Sequence, residues 1–369
     1  MEVKVITRHG PINYGSVLQS LATIRVIERL GHNVQIIDYL RKDERGLKGT
    51  LEQLKQKSEF NSAIKKILYF MLRYPEDFFA ERHFDCFRKK YLKLTKRCYS
   101  LEDLKTLDAD VFMTGSDQVW RPVTNGKLDE AYFLRFVESS KKVAYSSSFG
   151  KTVFSDSELN CYKNWLAEYK GIAVREDAAV SIIRKLGIAN RFSILDQVVD
   201  PVLLLSEREW SEMVPIPNIS KQYVLIYQIH KNPQIDEYAR NLASKFNIPV
   251  LKICTAIHQI KRGERMALLP DLDKFLSLIK NCSYLVTDSF HGSCFALLFH
   301  KKFAEILPQI GTASRNESLM RLVGLENRIV TDFSSFDNII QDINYKRVDD
   351  LLQSERKKSI AIMQRLIEE

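Results

Sequence analysis

Thr287-Asp288-Ser289-Phe290-His291-Gly292-Ser293-Cys294-Phe295-Ala296-Leu297-Leu298-Phe299 is the stretch from which the fold can be read. Ahead of it, Ser283-Tyr284-Leu285-Val286 is short, apolar and bounded, as a buried strand is, and the small apolar residues behind it suit a buried helix. The spacing predicts a strand-to-helix turn carrying His291. In open α/β sheets ligands gather outside the carboxyl ends of strands, where helix N-termini point free N–H groups at anions. Asp288 and Ser289 are good helix caps, Gly292 lets the backbone approach a ligand, and His291 is placed to give a proton to a bound anion. A histidine that only satisfies a buried turn would read the same way, so the other strand ends have to decide.

Residues 2–6 alternate as a first strand, followed by the loop 8–15 and by Val17, Leu18, Leu21, Ile24, Ile27 and Leu30 at helical spacing up to Gly31. A strand over 34–37 completes a βαβ unit. Asn13-Tyr14-Gly15-Ser16 is a candidate anion cradle, because Gly15 permits close approach and Ser16 can cap the helix. It lacks the G-x-G-x-x-G spacing of a dinucleotide site. The strand over 110–114 runs into Gly115-Ser116-Asp117, where Asp117 is either a base for a hydroxyl or a cap on the turn. The strand over 142–149 ends among small hydroxyl residues, Ser147 among them, and the one over 171–174 ends at Arg175. An arginine fork suits a carboxylate or phosphate, although pairing with Glu176 or Asp177 would also account for it.

After Asp200-Pro201 the alternation restarts, with strands over 223–229, 250–254 and 302–307 and helices over 236–246, 275–279 and 317–323. The class is therefore α/β, with two Rossmann-like domains in tandem, 1–200 and 201–345, and an active site in the crevice between them. The amphipathic segment 346–369 is expected to pack back on the N-terminal domain as a C-terminal helix. A chain of 369 residues has material for two cores.

The net charge of +9 is unevenly spread, since residues 41–97 hold sixteen Lys or Arg against eight Asp or Glu. The span 44–100 reads as a basic helical insertion in which Phe60, Ala63, Ile64, Ile67, Leu68, Met71 and Leu72 form an apolar face beside Lys65, Lys66 and Arg73. Such a helix packs on its own domain or lies peripherally on an anionic membrane surface. No nucleic-acid motif accompanies the charge. No run of 18 apolar residues occurs and the chain starts on a strand, so a cytoplasmic protein is expected. Cys86, Cys98, Cys161, Cys254, Cys282 and Cys294 show no zinc spacing and read as reduced, packed thiols. No metal and no cofactor is expected.

Six blocks taken in order, Asn13 to Gln19, Thr114 to Trp120, Ala144 to Gly150, Val174 to Asp177, Asp200-Pro201 and Asp288 to Gly292, resemble the polysaccharide pyruvyl transferase family over about residues 12–325. The resemblance implies a GT-B-like fold. It also implies transfer of a pyruvyl group from phosphoenolpyruvate to two hydroxyls of a sugar, giving a cyclic ketal. The family's key histidine corresponds to His291, and the arginine of its Val-Arg-Glu block to Arg175. The arginine that better-known members carry two residues before the histidine is Ser289 here, and Arg315, at another helix start, is its expected substitute. The expected partners are phosphoenolpyruvate and a glycan acceptor, lipid-linked if the basic insertion works at the inner membrane face. A GT-B glycosyltransferase using a nucleotide sugar and a non-catalytic glycan-binding protein of the same fold are the competing expectations.

Overall fold

Strand periodicity in the first half yields β1 (Glu2–Ile6), β2 (Asn33–Ile36), β3 (Val111–Thr114), β4 (Lys142–Ser147), β5 (Gly171–Val174) and β6 (Leu195–Gln197). All are parallel, in the spatial order β2-β1-β3-β4-β5-β6. The second half forms a second parallel sheet from β7 (Val224–Tyr227), β8 (Val250–Cys254), β9 (Arg265–Leu268), β10 (Tyr284–Thr287) and β11 (Lys302–Glu305), ordered β11-β10-β7-β8-β9. The architecture comes from a computed structural model, described over residues 1–40, 46–55, 62–123, 126–256, 259, 265–308 and 311–369.

Parallel strands must be covered by helices on both faces, which is why β3, β4, β5 and β7 are buried at every position. In each sheet the strand order reverses once. The first sheet turns between β1 and β3, and the second between β7 and β10. Where order reverses, the two connecting helices leave on opposite faces and a crevice opens at the carboxyl ends.

The largest apolar cluster joins the facing layers of the two halves, with Tyr14 and Val17 of the first, Phe275 and Phe295 of the second, and Leu203 and Met363 from the connecting segment and the last helix all in it. The outer layer of each sheet has a separate cluster. The last helix, Tyr345–Glu368, starts against the second half, where the His300 ring stacks on Tyr345 at 4.4 Å. It ends under the first sheet, where Ser359 Oγ accepts from the Val199 N–H at 3.1 Å and Leu366 fills the space left by Gly171.

Within the insertion, helices run over Gly46–Lys55 and Ala63–Tyr91. Phe84 and Phe87 at the far end of the second helix are buried against Tyr14, at ring separations of 4.9 and 6.4 Å. Its beginning is different: Ile64, Ile67, Leu68 and Met71 are exposed, with Ile64 78% and Met71 66% accessible. Of the apolar face expected from the sequence, Phe60 lies outside the described residues, as do the side chains of Ala63 and Leu72. No helix among the described residues is long and apolar enough to cross a membrane. The six cysteines are free thiols, four of them buried; Cys86, on the outward face of the long helix, is exposed instead of packed.

Candidate active site

The two reversal points face each other across a cleft of about 500 Å³. From the first half it is lined by Arg8, Pro11, Asn13 and Ser16 after β1, and by Asp117, Gln118 and Arg121 after β3. From the second half come Ile229 and His230 after β7, Ser289, Phe290 and His291 after β10, and Arg315 on the helix Ser314–Val323. The ends of β1, β3, β7 and β10 thus meet at one place, and most of the wall is polar.

His291 sits in the first turn of the helix Phe290–Leu298, which Ser289 caps by accepting from the Gly292 N–H at 3.2 Å. Its Nε2 is 3.6 Å from Asp200 Oδ2 and has no hydrogen-bond partner among the described residues. The ring's other edge lies on Gly15, where any Cβ would overlap Nδ1 and Cγ. Gly15 therefore makes room for the imidazole, a use of its missing side chain that its place in a candidate cradle did not reveal.

Beneath the cleft lies a layer of paired charge. Asp200 Oδ2 accepts from Arg175 Nη1 at 3.0 Å and from Ser116 Oγ at 2.7 Å, while Oδ1 caps the short helix Pro201–Leu204 through the Val202 N–H at 3.0 Å. Burial pushes this carboxyl up, but His291, then Arg175 and the Val202 N–H, outweigh it and hold Asp200 well below the usual carboxylate range. Arg175 is buried and does not line the cleft; its guanidinium lies 4.3 Å from the Phe290 ring centroid, with Glu176 at 3.7 Å from Nε. Two buried carboxylates face this arginine, although its Nε and Nη2 have no hydrogen-bond partner among the described residues. It lies beneath the cleft and not on the wall, where the sequence reading put it as an anion ligand.

Arg315 is the opposite case. It is 9% exposed, lines the cleft, leaves Nε unpartnered and has no ion pair among the described residues. Burial, with the like charge of Arg175 added, pushes its guanidinium down to about 10. The next residue anchors its helix: Asn316 Nδ2 donates to Glu305 Oε1 at 2.6 Å, and Ser293 Oγ donates to Oε2 of the same carboxyl. Burial pushes the Glu305 carboxyl up to about 8.

Asp117 is half-buried on the cleft wall with its backbone at φ 79°, a conformation aspartate tolerates better than most residues. Oδ1 accepts from the Gln118 N–H and Oδ2 from Ser16 Oγ, both at 2.8 Å. Burial raises its carboxyl, yet Arg175, His291 and Arg315 together hold it below the ordinary value. Ser16 consequently braces Asp117, and the cap of the helix Tyr14–Arg29 is Asn13, which accepts from the Gly15 N–H at 2.9 Å.

Four more expected site residues lie off the cleft wall. Tyr14 is fully buried, stacks on Phe275 at 4.2 Å and donates to the Pro270 carbonyl at 2.6 Å, so it ties the two halves together. Ser147 donates back to the Thr114 and Gly115 carbonyls at 3.1 and 2.9 Å. Gly292 lies against β10 and β7, where a Cβ would come 2.6 Å from Thr287 Oγ1 and 3.0 Å from Tyr227. Ser116 is also covered, one layer down, on Asp200.

Sequence reading missed His230 and misjudged Asp288. Asp288 is no cap: its carboxylate accepts from the Ile229 N–H at 2.6 Å, from the His230 N–H at 2.8 Å and faces His230 Nδ1 at 3.1 Å. The signal available was a histidine three residues past the end of β7, a central strand.

Residues 13–306, most of the chain and every wall of this cleft except Arg8, Pro11 and Arg315, match the family described as polysaccharide pyruvyl transferase. The chain belongs to that family. No curated protein matches this pyruvyl transferase family member by sequence. Among solved structures, it is similar to Arabidopsis thaliana UGT89C1, with a TM-score of 0.52 and 10% identity over 99% of each chain. It is also similar to the UDP-GlcNAc 2-epimerase of Methanocaldococcus jannaschii in complex with UDP-GlcNAc and UDP, with a TM-score of 0.50 and 13% identity over 99% of each chain. At such identities the likeness speaks for the two-lobed GT-B-like fold and for nothing further.

Proposed function

We propose that the cleft moves the enolpyruvyl group of phosphoenolpyruvate onto two hydroxyls of a sugar, in a polysaccharide or its lipid-linked precursor, closing a pyruvate ketal and releasing phosphate. The observation that carries this reading is Arg315, a buried guanidinium on the cleft wall that makes no ion pair within hydrogen-bonding reach among the described residues, Asp117, Glu176 and Glu305 acting on it only from farther off. A charge buried unpaired is costly, and an anionic substrate removes that cost on binding. Phosphoenolpyruvate supplies such anions at both ends. Protonating its methylene carbon makes C2 an oxocarbenium centre that a sugar hydroxyl can attack, and His291 is the acid in this scheme. Arg315 holds the anion, Asn13 and Ser289 add polar contacts on the cleft wall, and Arg175 steadies Asp200 from below.

The direct test is phosphate release from phosphoenolpyruvate across a panel of galactosyl, mannosyl and aminosugar acceptors, alongside thermal shift with phosphoenolpyruvate, UDP-sugars and GDP-sugars. Stabilisation by a nucleotide sugar with no phosphate release would reject the reading in favour of glycosyl transfer. Within it, Arg315→Ala should weaken phosphoenolpyruvate binding by roughly 10- to 100-fold, the worth of hydrogen bonds to a charged group. Calorimetric affinity within threefold of the parent would remove Arg315 from that role. Gly15→Ala should cost about 10²-fold in turnover, because displacing the imidazole by about an ångström is enough to misalign proton transfer. An unchanged rate would mean that the ring can slide without loss.

We also propose peripheral association with an anionic bilayer through the exposed Ile64, Ile67, Leu68 and Met71, flanked by Lys65 and Lys66. Ile67→Glu with Met71→Glu should abolish cosedimentation with phosphatidylglycerol vesicles. Equal pelleting of both proteins would discard the membrane reading.

A further inference from the structure

His230 and His291 occupy matching places in the fold. β7 and β10 are parallel neighbours in register, with Thr287 opposite Tyr227, and the sheet's order reverses between them. His230 stands three residues past the end of one strand and His291 four past the end of the other. Both line the same cleft. Each faces a carboxylate, Asp200 for His291 and Asp288 for His230.

The Asp288 pairing is the more fully built of the two. One carboxylate takes two backbone N–H groups of the turn after β7 and faces His230 Nδ1, so the turn and the ring are fixed by the same group. A carboxylate on Nδ1 selects the tautomer that carries its proton there, which leaves the Nε2 lone pair to the cleft. No described residue bonds to Nε2. The rival base on the wall, Asp117, has both oxygens engaged and is held in its weakly basic state by surrounding cations.

We infer that His230 is a second catalytic residue, the group that takes the proton of the first attacking hydroxyl and returns it to the departing phosphate. This rests on the pyruvyl-transfer reading above. His291 gives its proton to C3 of the enol, and the first sugar oxygen bonds to C2 as its proton passes to His230 Nε2. The C2–O bond to phosphate then breaks, the electron pair leaves on the phosphate oxygen, and His230 hands its proton to that oxygen. The second hydroxyl bonds to C2 and gives its proton to His291. Two hydroxyl protons are lost, one ends on the new methyl group and one on phosphate, and both imidazoles return to their starting states.

His230→Gln and His230→Asn test the assignment, because both keep a polar group near Asp288 and the side chain is partly exposed, so the turn should survive. Turnover should fall about 10²-fold in both, while phosphoenolpyruvate affinity and the acceptor KM stay within threefold. A kcat within threefold of the parent in either folded variant overturns the role, as does a loss confined to KM. The parent protein run beside them separates the two levels: parent activity with unaffected variants removes His230 alone, and a parent inactive on every acceptor removes the transfer reading and this inference with it.

Discussion

His291→Ala is expected to release phosphate from phosphoenolpyruvate ~10²–10⁴-fold more slowly than the parent, the usual worth of a positioned general acid. Phosphoenolpyruvate affinity should change little, because the anion is assigned to Arg315, which approaches from a different helix. The expected signature is a loss in kcat with the dissociation constant retained, read by pairing single-turnover phosphate release with calorimetry. The substitution removes a ring wedged between Gly15 and Asp200, so Asp200 loses one of the two groups that most favour its ionised form, while Arg175 and Ser116 remain on it. His291→Gln serves as the partner variant that keeps volume and polarity but cannot carry the proton. Turnover in either variant above one tenth of the parent's would mean that another group protonates the enol, and His230 would be the first to examine.

Why the fold was legible and the site only partly so follows from the range of the interactions involved. Strands such as β5 and β8 and the helix after β1 are written in local periodicity, and their positions match the sequence closely. The strands the sequence did not reveal are β6 and β9, at the edges of their sheets, short and interrupted by charge as in Leu195-Asp196-Gln197. Strand ends were also legible, because small and polar residues follow them. Direction was not: residues one position apart at a strand end face opposite ways, so Ser147 turned inward while Asp117, after β3, reached the wall. Tyr14 is an interlobe contact, and a packing partner 256 positions away leaves no local trace. Arg175 and Arg315 look alike as sequence. What separates them is Asp200, which meets only one of them.

Asp200→Asn should therefore be the costliest single change for stability, by about 3–5 kcal/mol, the penalty for breaking a buried pair and stranding its partner. Asparagine can still cap the Pro201 helix through its one oxygen, but its amide nitrogen, a donor, then takes the place of the oxygen that accepts from Ser116 and Arg175, so Arg175 loses both the charge and the acceptor opposite it. The helix it caps packs on Tyr14–Arg29, on Phe290–Leu298 and on the last helix, so the damage should appear as a global shift in urea unfolding. The sign of its pH dependence follows from the depressed folded-state value. Asp200 contributes its full stability above the unfolded-state value near ~4, and that contribution is lost as pH falls from there toward the folded-state value. The gap between parent and variant should accordingly be flat from about pH 7 to about pH 5 and narrow only in acid, below about pH 4. Adding Arg175→Met to the variant should restore part of the loss, because the stranded cation goes with it. A gap under about 1 kcal/mol at neutral pH, or a double variant no more stable than the single, would show that Arg175 finds other compensation in Glu176 and that Asp200 is no keystone of the interface between the sheets.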